Sequence, residues 1–140
     1  MIVTVEVVTR QQQEFVDISD SIQSAVHASG ILEGVAFVYC PHTTAGLCIN
    51  ENYDPTVPED ILRKLEELVP VRGSYRHLEG NAAAHIKSCL MGVSHLLPVS
   101  EGKLKLGTWQ GVFFCEFDGP RRRKVIVRVL SEKTDEAETT

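Results

Sequence analysis

Short apolar segments rich in β-branched residues recur along the whole chain, and turn-forming residues separate neighbouring segments. The predicted strands cover residues 2–9, 14–18, 35–40, 47–49, 94–99, 104–106, 112–117 and 124–130. Successive strands joined by short connections pair antiparallel, because parallel neighbours need long crossover connections. A polar connector joins the first two strands, and Asp118-Gly119, a strong hairpin signal, stands between the last two. We therefore expect one hairpin at each end of the chain.

Three segments between the strands are predicted to be helical, at residues 20–29, 58–69 and 82–90. The first two carry an apolar stripe at helical spacing, and the third consists of good helix formers that end before Gly92. Because helices and strands do not alternate regularly, the pattern indicates an α+β protein with mostly antiparallel sheets and two or three helices. The 140 residues suffice for one domain, expected over residues 1–130.

The charge distribution excludes some classes of partner. The chain has a net charge of −5, and residues 131–140, with four acids and one lysine, account for −3 of it. The remaining body is nearly neutral and lacks the basic field that non-specific nucleic-acid binding requires. No apolar run approaches the roughly 20 residues that span a bilayer. We expect no nucleic-acid partner, no membrane partner, and a mobile acidic tail over residues 131–140.

The four cysteines show neither CxxC spacing nor the density of a disulfide framework. Each stands among apolar neighbours, so we expect small buried side chains in a reducing compartment. The first six residues resemble a strand and contain no basic segment or cleavage site of a signal peptide. Together these features predict a cytoplasmic protein.

The histidines are candidate metal ligands or acid–base groups. His77 and His85 each lie four residues from Asn81, and two imidazoles with a third group and a water could form an open zinc site. Spacing alone favours a simpler interpretation, in which His85 packs within its helix and His77 is solvated. His42, which precedes two threonines, is either a hydrogen-bonded turn residue, a third imidazole or a general base.

Glu116 interrupts an aromatic strand and shares a face with Val112 and Phe114. A charge in that position must be paired, at a sheet edge, or functional. Arg121 or Arg123, across the predicted hairpin, could pair with it. The basic residues 121–124 alternate faces on entering the last strand, so half of them could clamp a phosphate or carboxylate. They could equally protect a solvated strand edge.

Five polar blocks, in a fixed order between residues 3 and 130, together resemble the YjbQ-like family, also called the secondary thiamine-phosphate synthase family. The blocks are His42-Thr43-Thr44-Ala45-Gly46, Asn50-Glu51-Asn52 with Asp54, Gly80-Asn81-Ala82-Ala83-Ala84-His85, Leu106-Gly107-Thr108-Trp109-Gln110, and Glu116-Phe117-Asp118-Gly119-Pro120-Arg121 with Arg123. The resemblance implies a sandwich-like α+β fold, a homotrimer with polar residues near its subunit boundaries, and weak thiamine-phosphate synthase activity as a secondary capability.

The resemblance also implies site residues. A divalent metal, zinc or magnesium, would bind His42, His77 and His85. Asn50, Glu51, Asp54 and Asn81 would orient the metal or the substrate. The residues expected to take part in catalysis are His85, Glu116, Asn81 and Glu51.

Substrate binding is assigned in the same way. Trp109 and Gln110 would offer a wall and a polar contact to a heteroaromatic ring, and Arg121 or Arg123 would bind an anion. Asn50 is expected among the substrate-binding residues. The first hypothesis is therefore an enzyme acting on a small phosphorylated or heteroaromatic substrate. The alternative is a non-catalytic homotrimer that binds a metabolite or an anion.

Overall fold

A computed structural model describes residues 2–133 and shows eight strands and three helices within them. The strands are β1 (Ile2–Val8), β2 (Glu14–Asp17), β3 (Gly34–Tyr39), β4 (Ala45–Glu51), β5 (Ser94–Ser100), β6 (Lys103–Leu104), β7 (Gln110–Glu116) and β8 (Arg122–Ser131). The helices are α1 (Ser19–Ser29), α2 (Thr56–Leu68) and α3 (Ala82–Met91). The predicted α+β class with antiparallel sheets is confirmed.

The strands form two sheets. The larger has the order β1-β8-β3-β5-β6, the smaller has the order β2-β7-β4, and every pairing in both is antiparallel. The inner faces of the two sheets share one hydrophobic core. Alternation along β8 shows how the sequence specifies this, because Val125 and Val127 are buried in the core whereas Lys124 and Arg128 are exposed on the other face.

The helices close the sandwich on two sides. Ile22 and Val26 of α1 are fully buried in the core between the sheets. Helices α2 and α3 cover the outer face of the smaller sheet, where Leu65 and Ala84 pack in a cluster with Phe113 and its neighbours. Strand β7 is therefore buried on both faces after its first residue, which explains its continuous apolar sequence.

The two expected hairpins are wrong. Strands β1 and β2 lie in different sheets, as do β7 and β8, so each connection crosses from one sheet to the other. The two connections bond to each other instead. The Thr9 N–H donates to the Arg121 carbonyl at 2.9 Å, and the Gly119 N–H donates to the Gln12 carbonyl at 3.0 Å. A turn at Asp118-Gly119 can join two strands of one sheet or lead from one sheet to the other. Strand β7 is buried on both faces, and this favours the second arrangement.

The remaining differences are smaller. All four cysteines are free, but Cys89 is exposed and Cys48 is half-buried, so the expectation of four buried thiols holds only for Cys40 and Cys115. Ser131 still belongs to β8, and the expected mobile tail lies mostly at 134–140, outside the described residues. Within residues 2–133, no helix has the length and apolar character needed to cross a membrane.

Candidate functional site

A cleft of about 350 Å³ opens at the end of the sandwich where β4 begins. Three segments meet there: the connection from β3 to β4, the first turn of α3, and the connection from β7 to β8. Nine polar or charged side chains line the cleft, namely His42, Thr43, Thr44, Glu79, Asn81, His85, Asp118, Arg121 and Arg123. We call it the histidine–arginine cleft.

A buried ion pair underlies this cleft. Glu116, on the inner face of β7, is fully buried, and its Oε1 accepts hydrogen bonds from Arg123 Nε at 2.9 Å and from Thr9 Oγ1 at 2.7 Å. Arg123 Nη2 donates to the second carboxylate oxygen. Burial opposes ionisation of Glu116, but the hydrogen bonds from Arg123, Thr9 and the Asp118 N–H outweigh it and lower the pKa of the carboxyl.

Arg123 is therefore held in a single orientation at the wall of the cleft. Its Nη2 also donates to Thr44 Oγ1 at 2.9 Å, and the side chain is 6% exposed. These contacts use Nε and Nη2, and Nη1 forms no hydrogen bond with residues 2–133. The guanidinium is thus ordered before any ligand arrives.

His42 is held by the main chain of β8. Its Nε2 lies 3.0 Å from the Lys124 nitrogen, which donates, and 3.1 Å from the Lys124 carbonyl oxygen, which accepts. The imidazole therefore finds a partner in either tautomer. Burial and then the charge of Arg123 lower the pKa of His42 from its ordinary value of 6.5, so the neutral ring predominates at pH 7.

Asn81 precedes α3, and the two polar atoms of its side-chain amide differ in their hydrogen bonding. Its Nδ2 donates to Asp118 Oδ2 at 2.9 Å, and the same oxygen accepts from Arg121 Nη2 at 3.1 Å. The Asn81 Oδ1 is buried and has no hydrogen-bond partner among residues 2–133. Leaving a buried acceptor unpaired costs roughly 1–3 kcal/mol, so this oxygen needs a donor that residues 2–133 do not supply.

His85 lies one turn into α3, where its backbone N–H donates to the Asn81 carbonyl at 3.3 Å. The ring of His77 packs edge-on against it, with 5.2 Å between ring centroids. The amides at the start of a helix have no intrahelical acceptor and carry a partial positive charge. This turn of α3 therefore brings an imidazole and the positive end of the helix dipole to the edge of the cleft.

A second group of predicted residues lies at the opposite end of β4. Trp109 and Tyr53 pack edge-on with ring centroids 5.3 Å apart, and both side chains are more than half exposed. Glu51 and Asp54 line the same shallow pocket. Because the seven residues of β4 separate the two ends, this aromatic pocket is roughly 20 Å from the histidine–arginine cleft.

Comparison with known proteins now decides the family. A family model described as "UPF0047 protein YjbQ-like" matches residues 3–132. The chain belongs to the UPF0047 family. The family member MJ1081 of Methanocaldococcus jannaschii is 48% identical over 133 residues, which are 95% of this chain and 96% of that protein. The family member YugU of Bacillus subtilis is 46% identical, over 93% of this chain and 99% of its own.

Solved structures of family members share the fold. A YjbQ/UPF0047 protein from Clostridium acetobutylicum, described as uncharacterised, superposes with a TM-score of 0.90 at 51% identity, covering 91% of this chain and 99% of its own. A YbjQ-like protein of unknown function from Sulfolobus solfataricus gives 0.90 at 38% identity, over 94% and 97% of the two chains. The resemblance inferred from the polar blocks is thereby confirmed for family and fold.

The family's signature residues divide between the two ends of β4 in this UPF0047 protein. The cleft holds His42, Asn81, His85, Arg121 and Arg123, with Glu116 directly beneath. The other expected residues do not reach it. Asn50 Oδ1 accepts from the Glu51 N–H at 2.7 Å, and Gln110 Oε1 accepts from the Gly107 N–H at 2.8 Å, so both are turned toward their own backbone.

The expected three-histidine metal set is not assembled in one chain. Within residues 2–133, no group of three or more His, Cys, Asp or Glu side chains has an arrangement that could hold a metal ion. His42 bonds to the main chain of Lys124, and only His77 and His85 contact each other. The donor set does not fit the three protein ligands of a catalytic zinc site, and we derive no step through a metal.

Sequence reasoning missed Thr9 and Tyr53. Thr9 is 3% exposed and bonds to Glu116, which is 107 residues away along the chain, so no local pattern could connect them. Tyr53 stands between Asn52 and Asp54, two residues of a polar block that resembles the family, and its ring packs against Trp109. Nothing in the sequence predicts this contact. A polar residue at the end of an apolar strand was the one available signal for Thr9.

Proposed function

We propose that this UPF0047 protein is a small-molecule enzyme that binds a phosphorylated substrate in the histidine–arginine cleft and uses an imidazole there for acid–base chemistry. The observation that carries the proposal is the meeting of two guanidiniums, two imidazoles and the start of α3 in one cleft, beside Asn81, whose buried Oδ1 is unpaired among residues 2–133. A purely structural role leaves that oxygen without an explanation.

Binding would rely on directed hydrogen bonds rather than on net charge. Glu116 neutralises Arg123, and Asp118 neutralises Arg121, so each arginine is ordered by a carboxylate. A pre-ordered guanidinium loses little entropy when it binds, and its planar fork matches a phosphate. The first turn of α3 adds backbone donors on the same side.

An imidazole would supply the proton transfer. His42 is neutral at pH 7 and stays anchored in either tautomer, which suits a group that must gain and lose a proton. His85 is the second candidate, placed over the start of α3. Glu116 is excluded from direct contact with substrate because it is fully buried beneath Arg123, so its proposed role is to position that arginine.

The family resemblance suggests thiamine-phosphate formation as a secondary reaction. There a pyrimidine methylene carbon bonds to the thiazole nitrogen while its C–O bond breaks, and pyrophosphate leaves with the electron pair. A site that holds the leaving anion with ordered donors and brings two rings together would accelerate this weakly. The primary reaction would use the same anion-binding groups on a different phosphorylated substrate.

We also propose the homotrimer that the resemblance implies. In one chain the aromatic pocket is too far from the cleft to share a small substrate with it, whereas the aromatic pocket of a neighbouring copy could cover the cleft. Phe37 and Tyr39 stack on the outer face of the larger sheet, where Leu96 is 66% exposed, which gives further apolar area for contact between copies. A cytoplasmic location, predicted from the N-terminal sequence and the cysteines, belongs to the same proposal.

The test is turnover by cleft variants. Purified protein would be assayed for thiamine-phosphate formation and against a panel of phosphate and pyrophosphate esters. We expect His85→Gln or His42→Gln to lower kcat about 100-fold or more if that residue transfers the proton, and Arg121→Gln mainly to raise KM. His27→Gln, at an exposed position of α1, is the matched control. Wild-type kinetics in all three cleft variants would refute the proposal.

The alternative is a non-catalytic homotrimer that binds a metabolite or an anion. The burial of Glu116 favours it, since the expected carboxylate acid–base group cannot reach a ligand. A binding protein would saturate with one phosphorylated ligand and lose affinity in Arg121→Gln, yet show no turnover with any member of the panel. Product formation that depends on His42 or His85 would exclude this alternative.

A further inference from the structure

The basic run 121–124 supplies side chains to two cavities on opposite faces of one strand. Arg121 and Arg123 line the histidine–arginine cleft, whereas Arg122 and Lys124 line a separate cavity of about 220 Å³ with Thr4 and Glu6 of β1. Alternation along β8 produces this division, because successive side chains point to opposite faces of a sheet. We call the second space the outer cavity.

Two cations that line the outer cavity have no side-chain partner in the described part of the chain. Arg122 and Lys124 form no ion pair and no side-chain hydrogen bond with the part of the chain that the structure describes, residues 2–133. Glu6 is opposite Lys124 in the strand register, yet the two side chains make no ion pair. Because Glu116 already neutralises Arg123, the lining carries two positive charges that are unpaired among residues 2–133, against one carboxylate.

We propose that the outer cavity is a second anion site, which takes the phosphate group of a small phosphate monoester. Arg122 and Lys124 would bind the phosphate oxygens, the Thr4 hydroxyl would donate a further hydrogen bond, and Val8 would contact the apolar part of the ligand. This site adjoins the cleft of the proposed function but does not depend on it, because Arg122 and Lys124 do not line the cleft.

The two cavities share His42 and Arg123. An anion in the outer cavity would therefore act on His42, whose neutral form is favoured by burial and by the charge of Arg123. A nearby negative charge favours the protonated ring and raises the pKa of His42. Binding of an anion at the outer site can therefore be followed through the titration of His42, even when no ligand occupies the cleft.

Isothermal titration with inorganic phosphate tests the site. We expect Arg122→Gln/Lys124→Gln to weaken one class of phosphate site at least tenfold, and Glu6→Gln to strengthen it several-fold by removing the like charge. Arg128→Gln is the matched control, because Arg128 is exposed on the same face of β8 but does not line the cavity. Acetate, titrated in parallel, shows whether the site prefers phosphate to a carboxylate, and equal affinity for both would overturn the choice of phosphate.

Two further variants keep this result separate from the proposed function. Arg121→Gln removes a cleft contact and should leave the outer site intact, so the two proposals can fail independently. The histidine C2–H resonance that disappears in His42→Gln identifies His42, and phosphate should shift its titration upward in Arg121→Gln but not in Arg122→Gln/Lys124→Gln. Unchanged phosphate affinity in the double variant, or no phosphate binding by the wild-type chain, would overturn the outer site.

Discussion

Arg123 and Glu116 form a buried bidentate ion pair that joins the two sheets of the sandwich. Arg123 lies on the inner face of β8 in the larger sheet, and Glu116 on the inner face of β7 in the smaller one. Thr9 and Thr44 complete the hydrogen bonding from the ends of two other segments. The pair therefore fixes the separation of the sheets at the end where the histidine–arginine cleft opens.

Removing one member of this pair should destabilise the fold strongly. Glu116→Gln keeps the shape of the side chain but leaves the Arg123 charge buried without a counter-charge, which costs about 3–5 kcal/mol. Denaturation in urea would measure the loss as a lower midpoint. Asp60→Asn is the control, since it breaks an exposed pair with Arg63 on α2 and should cost no more than about 0.5 kcal/mol. Equal midpoints for the two variants would show that the buried pair does not stabilise the fold.

The same pair predicts an acid-labile fold. Burial acts to raise the pKa of Glu116, but its hydrogen bonds with Arg123 and Thr9 lower it below the ordinary value of 4.5 in the folded protein. A carboxyl with a depressed folded-state pKa contributes its full stability above its unfolded pKa and loses it as the pH falls toward the folded pKa. The unfolding free energy should therefore fall steeply below about pH 4.5, and less steeply in Glu116→Gln. Urea midpoints between pH 3 and pH 7, measured for both proteins, would check this, and parallel curves would contradict it.

The strand and helix positions were predictable because they depend on local apolar periodicity and on the glycine or proline that follows each helix, but the pairing of the strands was not. Asp118-Gly119 is a sound turn signal, yet β7 and β8 end in different sheets. The reason is the burial of both faces of β7, one by the larger sheet and one by α2 and α3. That depends on the tertiary arrangement, which no window of sequence contains.

For the candidate site, the identity of the residues could be predicted from the sequence, but their roles could not. The residues of the cleft were identified because polar groups at the ends of apolar elements stand out, and Glu116 stood out as a charge within an aromatic strand. Their roles were less predictable. The distance from the cleft to Trp109 follows from the length of β4. The buried carboxylate of Glu116 accepts a hydrogen bond from Thr9, which is 107 residues away and which no local pattern could identify.

Cys48 is predicted to react as a thiolate near neutral pH. The neighbouring Cys115 side chain on β7 lowers the pKa of Cys48 to about 7, although burial acts in the opposite direction. In a Cys89→Ser background, which removes the exposed thiol, alkylation of Cys48 by iodoacetamide should have its pH midpoint at about 7. Mass spectrometry of the modified peptide gives the rate at each pH.

Cys115→Ala provides the decisive comparison for that thiol. It removes the neighbouring thiol while keeping an apolar side chain, so the midpoint for Cys48 should rise by one unit or more toward the ordinary value for cysteine, about 8.5. An unchanged midpoint in Cys115→Ala would mean that the neighbouring thiol does not set the reactivity of Cys48. Protection of Cys48 at every pH would mean that the packing of α2 and α3 excludes the reagent.

Gly46→Ala should damage both the fold and the cleft, because β4 packs closely against the end of α3 at this glycine. A Cβ there would lie 2.8 Å from the Gly92 carbonyl oxygen and 2.9 Å from the Met91 Cβ, and the backbone oxygen cannot rotate away as a long side chain could. We expect a loss of about 1–3 kcal/mol in the free energy of unfolding. Gly73→Ala is the control, since the atoms nearest to its Cβ would all belong to the Tyr75 side chain.

Since a shift of α3 also moves Asn81 and His85, Gly46→Ala should weaken phosphate binding in the cleft more than in the outer cavity. Wild-type stability and phosphate affinity in Gly46→Ala would show that α3 is not held against β4 in the way the structure indicates.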